Sequence, residues 1–294
     1  MGYLYEEGDL LNNPIECFVF CSDKEKFPVR PHGHYYIEMI CMIEGTAEMR
    51  VDNNVYLLTC GSMILFHPKA VHSIYSADGN PVKYMVLKFD INRLNITSTY
   101  SPKLRSIFRC AEKKGMSIIF SADEAEMMRA SHIFSHCISE MKSRKYGYDL
   151  VIRSELYSLM VNIIRFWQEK GFRIDSEAFI DDSRYDIYSI TEYIDANMSA
   201  NIKVAEIADI CKMSYSYFAK RFLDVYGKTC KEYMEDMRIS KVEEFLVFTD
   251  FDLTYISQET GFSDCSHMIK SFKARHGVTP KQFRRLKQGE IDGA

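Results

Sequence analysis

Between Cys265 and Gly289 the chain carries Lys270, Lys273, Arg275, Lys281, Arg284, Arg285 and Lys287, and no Asp or Glu. The whole chain has a net charge of −4, so this one-signed stretch stands against an acidic background. Glu232, Glu235, Asp236, Glu243 and Glu244 lie just upstream of it. A basic patch on an acidic protein suits selective contact with phosphates; an isolated one is more often a solvated helix face. A second set of reactive side chains comes early. His32, His34, Tyr36 and Glu38 alternate along the chain, and along one extended strand they would point to one face, toward an interior.

Other chemistry finds little support. The nine Cys form no CxxC pair, which fits reduced thiols in a cytoplasmic protein rather than a zinc site or a disulfide framework. No glycine-rich phosphate loop, nucleophile elbow or HExxH stands in the chain, so no enzyme is expected from those motifs. No run of 18 apolar residues exists, and no membrane span is expected. Met1 to Glu7 lacks the basic start and apolar run of a secretion signal.

The elements that must position the basic patch are written twice. Ile207-Ala208, Met213-Ser214, Phe218, Lys220, Phe222, Gly227 and Thr229 recur as Ile256-Ser257, Phe262-Ser263, Met268, Lys270, Phe272, Gly277 and Thr279. The offset is 49 up to the Ser and 50 beyond it. Such a repeat is one supersecondary unit used twice: a helix, a tight turn and a second helix. Ile187 to Asn197 precedes the repeat as an amphipathic helix. Val204 to Asp209 follows, behind Lys203, a poor cap. Ser214 caps Tyr215 to Val225, and Gly227 ends it. Thr229 and Glu232 form a capping box for a helix to about Phe248, with Tyr233, Met237, Val242 and Leu246 as its buried stripe. Asp252 caps the next helix, and Ser263 or Asp264 caps Cys265 to His276. Thr279, Pro280 and Gln282 start a last helix. The connecting helix spans roughly 28 Å, close to the roughly 34 Å between successive major grooves on one DNA face. Two reading heads on that strut would enter adjacent grooves of slightly bent DNA.

The segment from Ile187 to about Leu286 resembles the AraC/XylS family of bacterial transcription regulators. The residues that carry the likeness are Ser214 to Phe218, Gly227-Lys228-Thr229, Arg238-Ile239, Gly261-Phe262-Ser263-Asp264, Phe272-Lys273, Gly277, Thr279-Pro280 and Phe283-Arg284. The resemblance implies sequence-specific binding to double-stranded DNA. It places Tyr215, Ser216, Ala219 and Lys220 of the first recognition helix, and Cys265, Ser266, Ile269 and Lys270 of the second, against base edges. Arg221, Lys273 and Arg275 are expected at phosphates; for Tyr215 and Tyr217 the competing role is partial burial in the core. It further implies a homodimer, contact with RNA polymerase and transcriptional activation. Met268, Ser257 and His267 depart from the family pattern.

The amino-terminal part reads as short strands at Phe18 to Phe20, Ile37 to Met42, Ala47 to Val51, Val55 to Leu58, Met63 to Phe66 and Val82 to Phe89, with a hairpin turn at Asp52-Asn53-Asn54. Such spacing suggests a sandwich or barrel. His32-x-His34-x3-Glu38-x6-Gly45, then Gly61, Pro68 and His72, resembles the cupin barrel signature, with one extra residue before Pro68 and Ser76 where Asn is usual. In metal cupins His32, His34, Glu38 and His72 would be ligands for iron, manganese, nickel or zinc. In regulators of the resembled family such a barrel binds a small effector, often a sugar. His32, His34, Tyr36, Glu38, Phe66 and His72 would then contact it with no metal or other cofactor, the aromatics stacking on it. A metal-dependent oxygenase or isomerase is the competing reading, and a thiol-based redox regulator a third.

Two helices follow, Ser121 to about Arg144 with Met127, Phe134, Cys137, Ile138 and Met141 as a stripe, and Tyr148 to Lys170 with Leu156, Leu159, Met160, Ile163 and Trp167. They can pack on the barrel or on a partner subunit. The expected architecture is α+β in two domains, a cupin-like β-barrel with flanking helices and an all-α domain with two helix-turn-helix units. Its expected segments are a barrel over 1–100, a helical dimerisation segment over 101–170, a linker over 171–186 and the DNA-binding domain over 187–288.

Overall fold

Ile37 to Met42 is apolar except for Glu38 because both faces of its strand are covered, as in any sheet buried on two sides. In a computed structural model, which describes residues 4–5, 15–34, 36–51, 53–91, 94, 103–176, 178, 187, 190–197, 200 and 202–291, the strands are β1 (Leu4–Tyr5), β2 (Ile15–Cys21), β3 (Val29–Gly33), β4 (Ile37–Glu44), β5 (Ala47–Val51), β6 (Asn54–Leu58), β7 (Met63–Phe66), β8 (His72–Ser76), β9 (Lys83–Phe89) and β10 (Ile119–Phe120). They form two five-stranded sheets, ordered β1-β3-β8-β5-β6 and β10-β7-β4-β9-β2. Every pairing is antiparallel except β1 with β3. Ile40, Ile64, Phe66, Tyr84 and Val86 of the second sheet meet Met49, Val51, Leu58 and Ile74 of the first in a shared interior. The opposite parity of the second sheet, Ile37, Met39, Cys41, Met63, Leu65, Met85, Leu87 and Phe89, is buried under helices instead. The β5–β6 hairpin pairs Val51 with Asn54, as expected for its turn.

Helices α1 (Leu104–Lys113), α2 (Ala122–Met127), α3 (Ala130–Ser143) and α4 (Tyr148–Glu169) supply that cover. Leu104, Ile107 and Phe108 of α1, Ile133, Phe134 and Cys137 of α3, and Leu156, Leu159, Ile163 and Trp167 of α4 join the core. Trp167 is fully buried and donates its indole N–H to the Ser117 carbonyl at 2.9 Å. Several expectations are corrected. The stretch from Ser121 to Arg144 is two helices: the Ser121 capping box holds, but Arg129 takes a left-handed φ of 58° that no helix continues through. Met127, expected in the buried stripe, is 76% exposed because it sits at that break. Strands β3 and β8 and helix α1 went unread. Phe172 and Ala178, inside the expected linker, are buried in the first unit's core.

The chain divides into two units, Met1–Ser183 and Arg184–Ala294. The second contains α5 (Ile190–Ala196), α6 (Val204–Ile210), α7 (Tyr215–Tyr226), α8 (Cys230–Phe248), α9 (Leu253–Glu259), α10 (Cys265–His276) and α11 (Pro280–Ile291). The capping signals act as read. Ser214 accepts from Tyr217 N–H, Thr229 and Glu232 exchange hydrogen bonds, Asp252 accepts from Thr254 and Tyr255, and Thr279 pairs with Gln282. Each such cap is worth roughly 1 kcal/mol. Lys203 is rescued by Glu206, whose carboxylate accepts from the Lys203 N–H at 3.1 Å. Both α7 and α10 end at a left-handed glycine, Gly227 and Gly277. Phe218 and Phe222 of α7, and Met268 and Phe272 of α10, are fully buried at matching positions, each contributing roughly 2–3 kcal/mol of burial. Both helices, and α11, pack against α8.

Candidate nucleic-acid interface and effector site

The repeat gives α7 and α10 the same faces. Phe218 and Met268 turn inward at one level, Phe222 and Phe272 one turn on, which leaves Ser216, Lys220, Ser266 and Lys270 exposed. Tyr215 and Tyr217 are 58% and 55% exposed, so neither is core. Ala219, Ile269 and Cys265 are half-buried at the edge of that face, and Ile269 and Cys265 also pack on the apolar cluster beneath α10. Asp264, not Ser263, caps α10, accepting from His267 N–H at 2.8 Å. His267 sits edge-on to Phe262 with ring centroids 5.4 Å apart, so it braces the turn. Lys273 is exposed and Arg221 half-buried.

Arg275 has a second engagement. Its guanidinium pairs with the Asp236 carboxylate of α8, whose other oxygen takes Lys228 Nζ at 2.5 Å. Ser271 Oγ donates to Glu235 at 2.6 Å and His276 Nε2 lies 2.7 Å from Glu243. The acidic residues of the connecting helix therefore hold the second recognition helix in place. In the sequence the only signal of this role is acids on α8 and cations on α10 at helical spacing.

In the first unit, His32 lies on β3, His34 just after it, Glu38 on β4 and His72 on β8. The expectation that His32 to Glu38 form one strand is corrected: β3 ends at Gly33, β4 begins at Ile37 in the other sheet, and the side chains meet across the two sheets. One donor atom from each of the four lies within 4.8 Å of the others. His34 Nε2 is 2.5 Å from Glu38 Oε2, and His72 Nε2 is 3.4 Å from the same oxygen. Burial drives the Glu38 carboxyl upward, but hydrogen bonding and positive charge from His34 and His72 outweigh it and hold it well below the usual carboxylate range. Burial opposes protonation of His72, yet Glu38 raises its pKa. The ring of Phe66 lies parallel to that of His72 at 4.1 Å, and Tyr36 is fully buried beside His34. Among these buried aromatics, Phe66 stacks on a histidine of the site itself.

Lys88 was not foreseen. It lies on β9 opposite Glu38 on one side and Glu16 on the other, 5% exposed, with its ammonium 5.3 Å from the centre of the Tyr36 ring. A charge between Leu87 and Phe89 in an apolar strand was its sequence signal. A cation, a carboxylate and three imidazoles at one end of an apolar barrel can bind a polar ligand or an ion.

Comparison with known proteins places both units. An AraC-like ligand-binding domain matches residues 12–160, and a helix-turn-helix domain matches residues 207–286. The chain is similar to the helix-turn-helix-type transcriptional regulator YbfI of Bacillus subtilis, with 24% identity over 258 residues, 86% of each chain. It is similar to the Msm operon regulatory protein of Streptococcus mutans, with 23% identity over 291 residues, 96% of each chain. A solved structure of ToxT from Vibrio cholerae with bound unsaturated fatty acid matches 92% of this chain and 95% of that one, at 15% identity and a TM-score of 0.36. With an AraC-like ligand-binding domain followed by a helix-turn-helix domain, the chain belongs to the AraC family of transcriptional regulators.

Proposed function

We propose that this regulator binds an operator with both recognition helices of one chain, and that a small oxygen-rich effector in the barrel controls that binding. A carbohydrate is the effector class we favour. The observation that carries the first part is the matched exposure of Ser216 and Lys220 with Ser266 and Lys270 on helices packed against one 19-residue strut. Lys at such a position reaches guanine O6 or N7, and Ser is a permissive partner. Tyr215, Ala219, Cys265 and Ile269 complete the base-reading faces, while Arg221 and Lys273 meet phosphates. Arg275 is assigned to holding α10 rather than to the backbone of DNA. In this reading the barrel and its helices form one effector domain, the protein acts in the cytoplasm as a homodimer through α3 and α4, and it activates transcription by touching RNA polymerase. The effector shifts the population of conformations that present the DNA heads.

Selection of random duplexes by the purified full-length chain tests this directly. Two half-motifs about one helical turn apart are expected. Enrichment of a single motif, or of none, refutes the two-head reading. The buried His32, His34, Glu38 and His72 cluster also motivates a second reading, a metal-dependent enzyme of the oxygenase or isomerase type. Absence of turnover in metal-loaded protein that still binds its operator removes it.

A further inference from the structure

We propose that Lys88 recognises a carboxylate on the effector, so that the ligand of the barrel is an acidic sugar rather than a neutral one. This rests on the reading of the barrel as a carbohydrate site and narrows its ligand class. The placement of Lys88 carries the inference. On β9, Met85, Leu87 and Phe89 lie under the helices, whereas Tyr84 and Val86 line the shared interior of the two sheets. Side chains alternate along a strand, so Lys88 points inward with Tyr84 and Val86. It is buried there. Taking an ammonium out of water is costly unless polar groups answer it. Packing gives no reason for the charge, because a Met or Leu fills the same place between apolar neighbours.

The neighbours of Lys88 set what that charge can do. It stands directly opposite Glu38 on β4 and Glu16 on β2. Glu38 is engaged from its other side, with His34 Nε2 at 2.5 Å and His72 Nε2 at 3.4 Å from one carboxylate oxygen. Glu16 is half-buried, and Asp90, just past the end of β9, is buried; both have contacts of their own, as has Lys88. The ammonium lies 5.3 Å from the centre of the Tyr36 ring. Its charge reaches His72, where burial and Lys88 oppose the proton that Glu38 favours. The cation therefore sits beside the imidazoles, within reach of a ligand bound among them. A ligand carboxylate would join or replace the present contacts of Lys88 through a charge-assisted hydrogen bond, strong in so dry a place. His34 supplies an anchor for the rest of the sugar. Its Nε2 faces the Glu38 acceptor, so in the neutral ring Nε2 carries the proton. Nδ1, buried and without a hydrogen-bond partner, is then left to accept a sugar hydroxyl.

The test is calorimetric titration of the full-length chain with glucuronate, galacturonate and gluconate. The neutral parents glucose and galactose, and a hexose phosphate, run beside them. At least one acid should bind, and its neutral parent should bind at least roughly 10-fold more weakly. Lys88→Met should cost the acid roughly 10–100-fold, the loss of one hydrogen bond to a charged group, and leave the neutral sugar unchanged. Lys88→Arg, which keeps the charge, should restore most of the affinity. Emission from Trp167, buried in the same unit, shows whether each variant is folded, and the comparison of acid with neutral parent in the wild type needs no variant at all. Equal affinity for an acid and its parent overturns the proposal. So does binding of the hexose phosphate alone, no response to any of the acids, or full acid affinity in folded Lys88→Met. The two claims fail separately. A neutral sugar that binds and alters operator affinity keeps the carbohydrate reading and removes the carboxylate, whereas an operator selected by a chain that binds no sugar of either kind removes both effector claims and leaves the DNA reading standing.

Discussion

Replacing Asp236 tests how the second recognition helix is held. Its carboxylate joins Lys228, at the turn after α7, to Arg275, near the end of α10. The side chains are 18%, 26% and 29% exposed, between the surface pairs worth roughly 0–1 kcal/mol and the buried pairs whose breakage costs roughly 3–5 kcal/mol. Both cations can rehydrate when the acid is removed, so Asp236→Ala should destabilise the second unit by about 2 kcal/mol. In a double-mutant cycle Asp236→Ala and Arg275→Ala should couple by about 1 kcal/mol. The assay is urea unfolding of the full-length chain. The sole tryptophan, Trp167, lies in the first unit, so its emission reports that unit and far-ultraviolet circular dichroism must follow the helical one. Binding offers a second readout. A phosphate-contacting cation contributes about one unit to the salt slope, and Arg275→Ala should weaken operator binding without lowering that slope. Coupling below about 0.3 kcal/mol, together with a slope reduced by about one, would refute the reasoning and return Arg275 to the DNA backbone.

Three further outcomes follow from particular residues. Lys220→Ala and Lys270→Ala should each cost about 1–3 kcal/mol at particular base pairs, measured by competition among operator variants; uniform weakening across sequences would make them phosphate binders. Gly45 has a φ of +81°, and a Cβ there would stand 2.5 Å from the Pro81 carbonyl oxygen; Gly45→Ala should therefore lower stability by more than the roughly 1–2 kcal/mol of left-handed strain, and a smaller loss in thermal unfolding would contradict the close approach. Burial holds the His67 imidazole down at about 4, below its value of roughly 6.5 in an unfolded chain. The unfolded state thus takes up the proton first, so stability is complete above about pH 6.5 and is lost, by at most about 3 kcal/mol, as pH falls toward 4. His67→Phe should flatten the fall in melting temperature between about pH 7 and 5; an unchanged fall would assign it to another group.

The amino-acid sequence by itself determined most of the DNA-binding half. Its signals are local: Ser214, Thr229, Asp252 and Thr279 each cap a helix within three residues of themselves, and the repeat of Phe218 and Phe222 as Met268 and Phe272 fixes which face is buried. Short strand-type runs broken by turn residues likewise marked β4, β5, β6 and β7. Strands β3 and β8 carry Pro31, His32, His72 and Ser73, too polar to read as strands without knowing that they pair with each other. Only the tertiary structure brought His72 to Glu38, 34 positions apart, Lys88 beside Glu38 across β4 and β9, and Arg275 to Asp236, 39 positions apart. A cap or a periodic stripe is an interaction between neighbours in the chain, so it is written where it acts. An ion cluster or an inter-helix clamp depends on strand register and helix packing, and these settle only when the whole core closes.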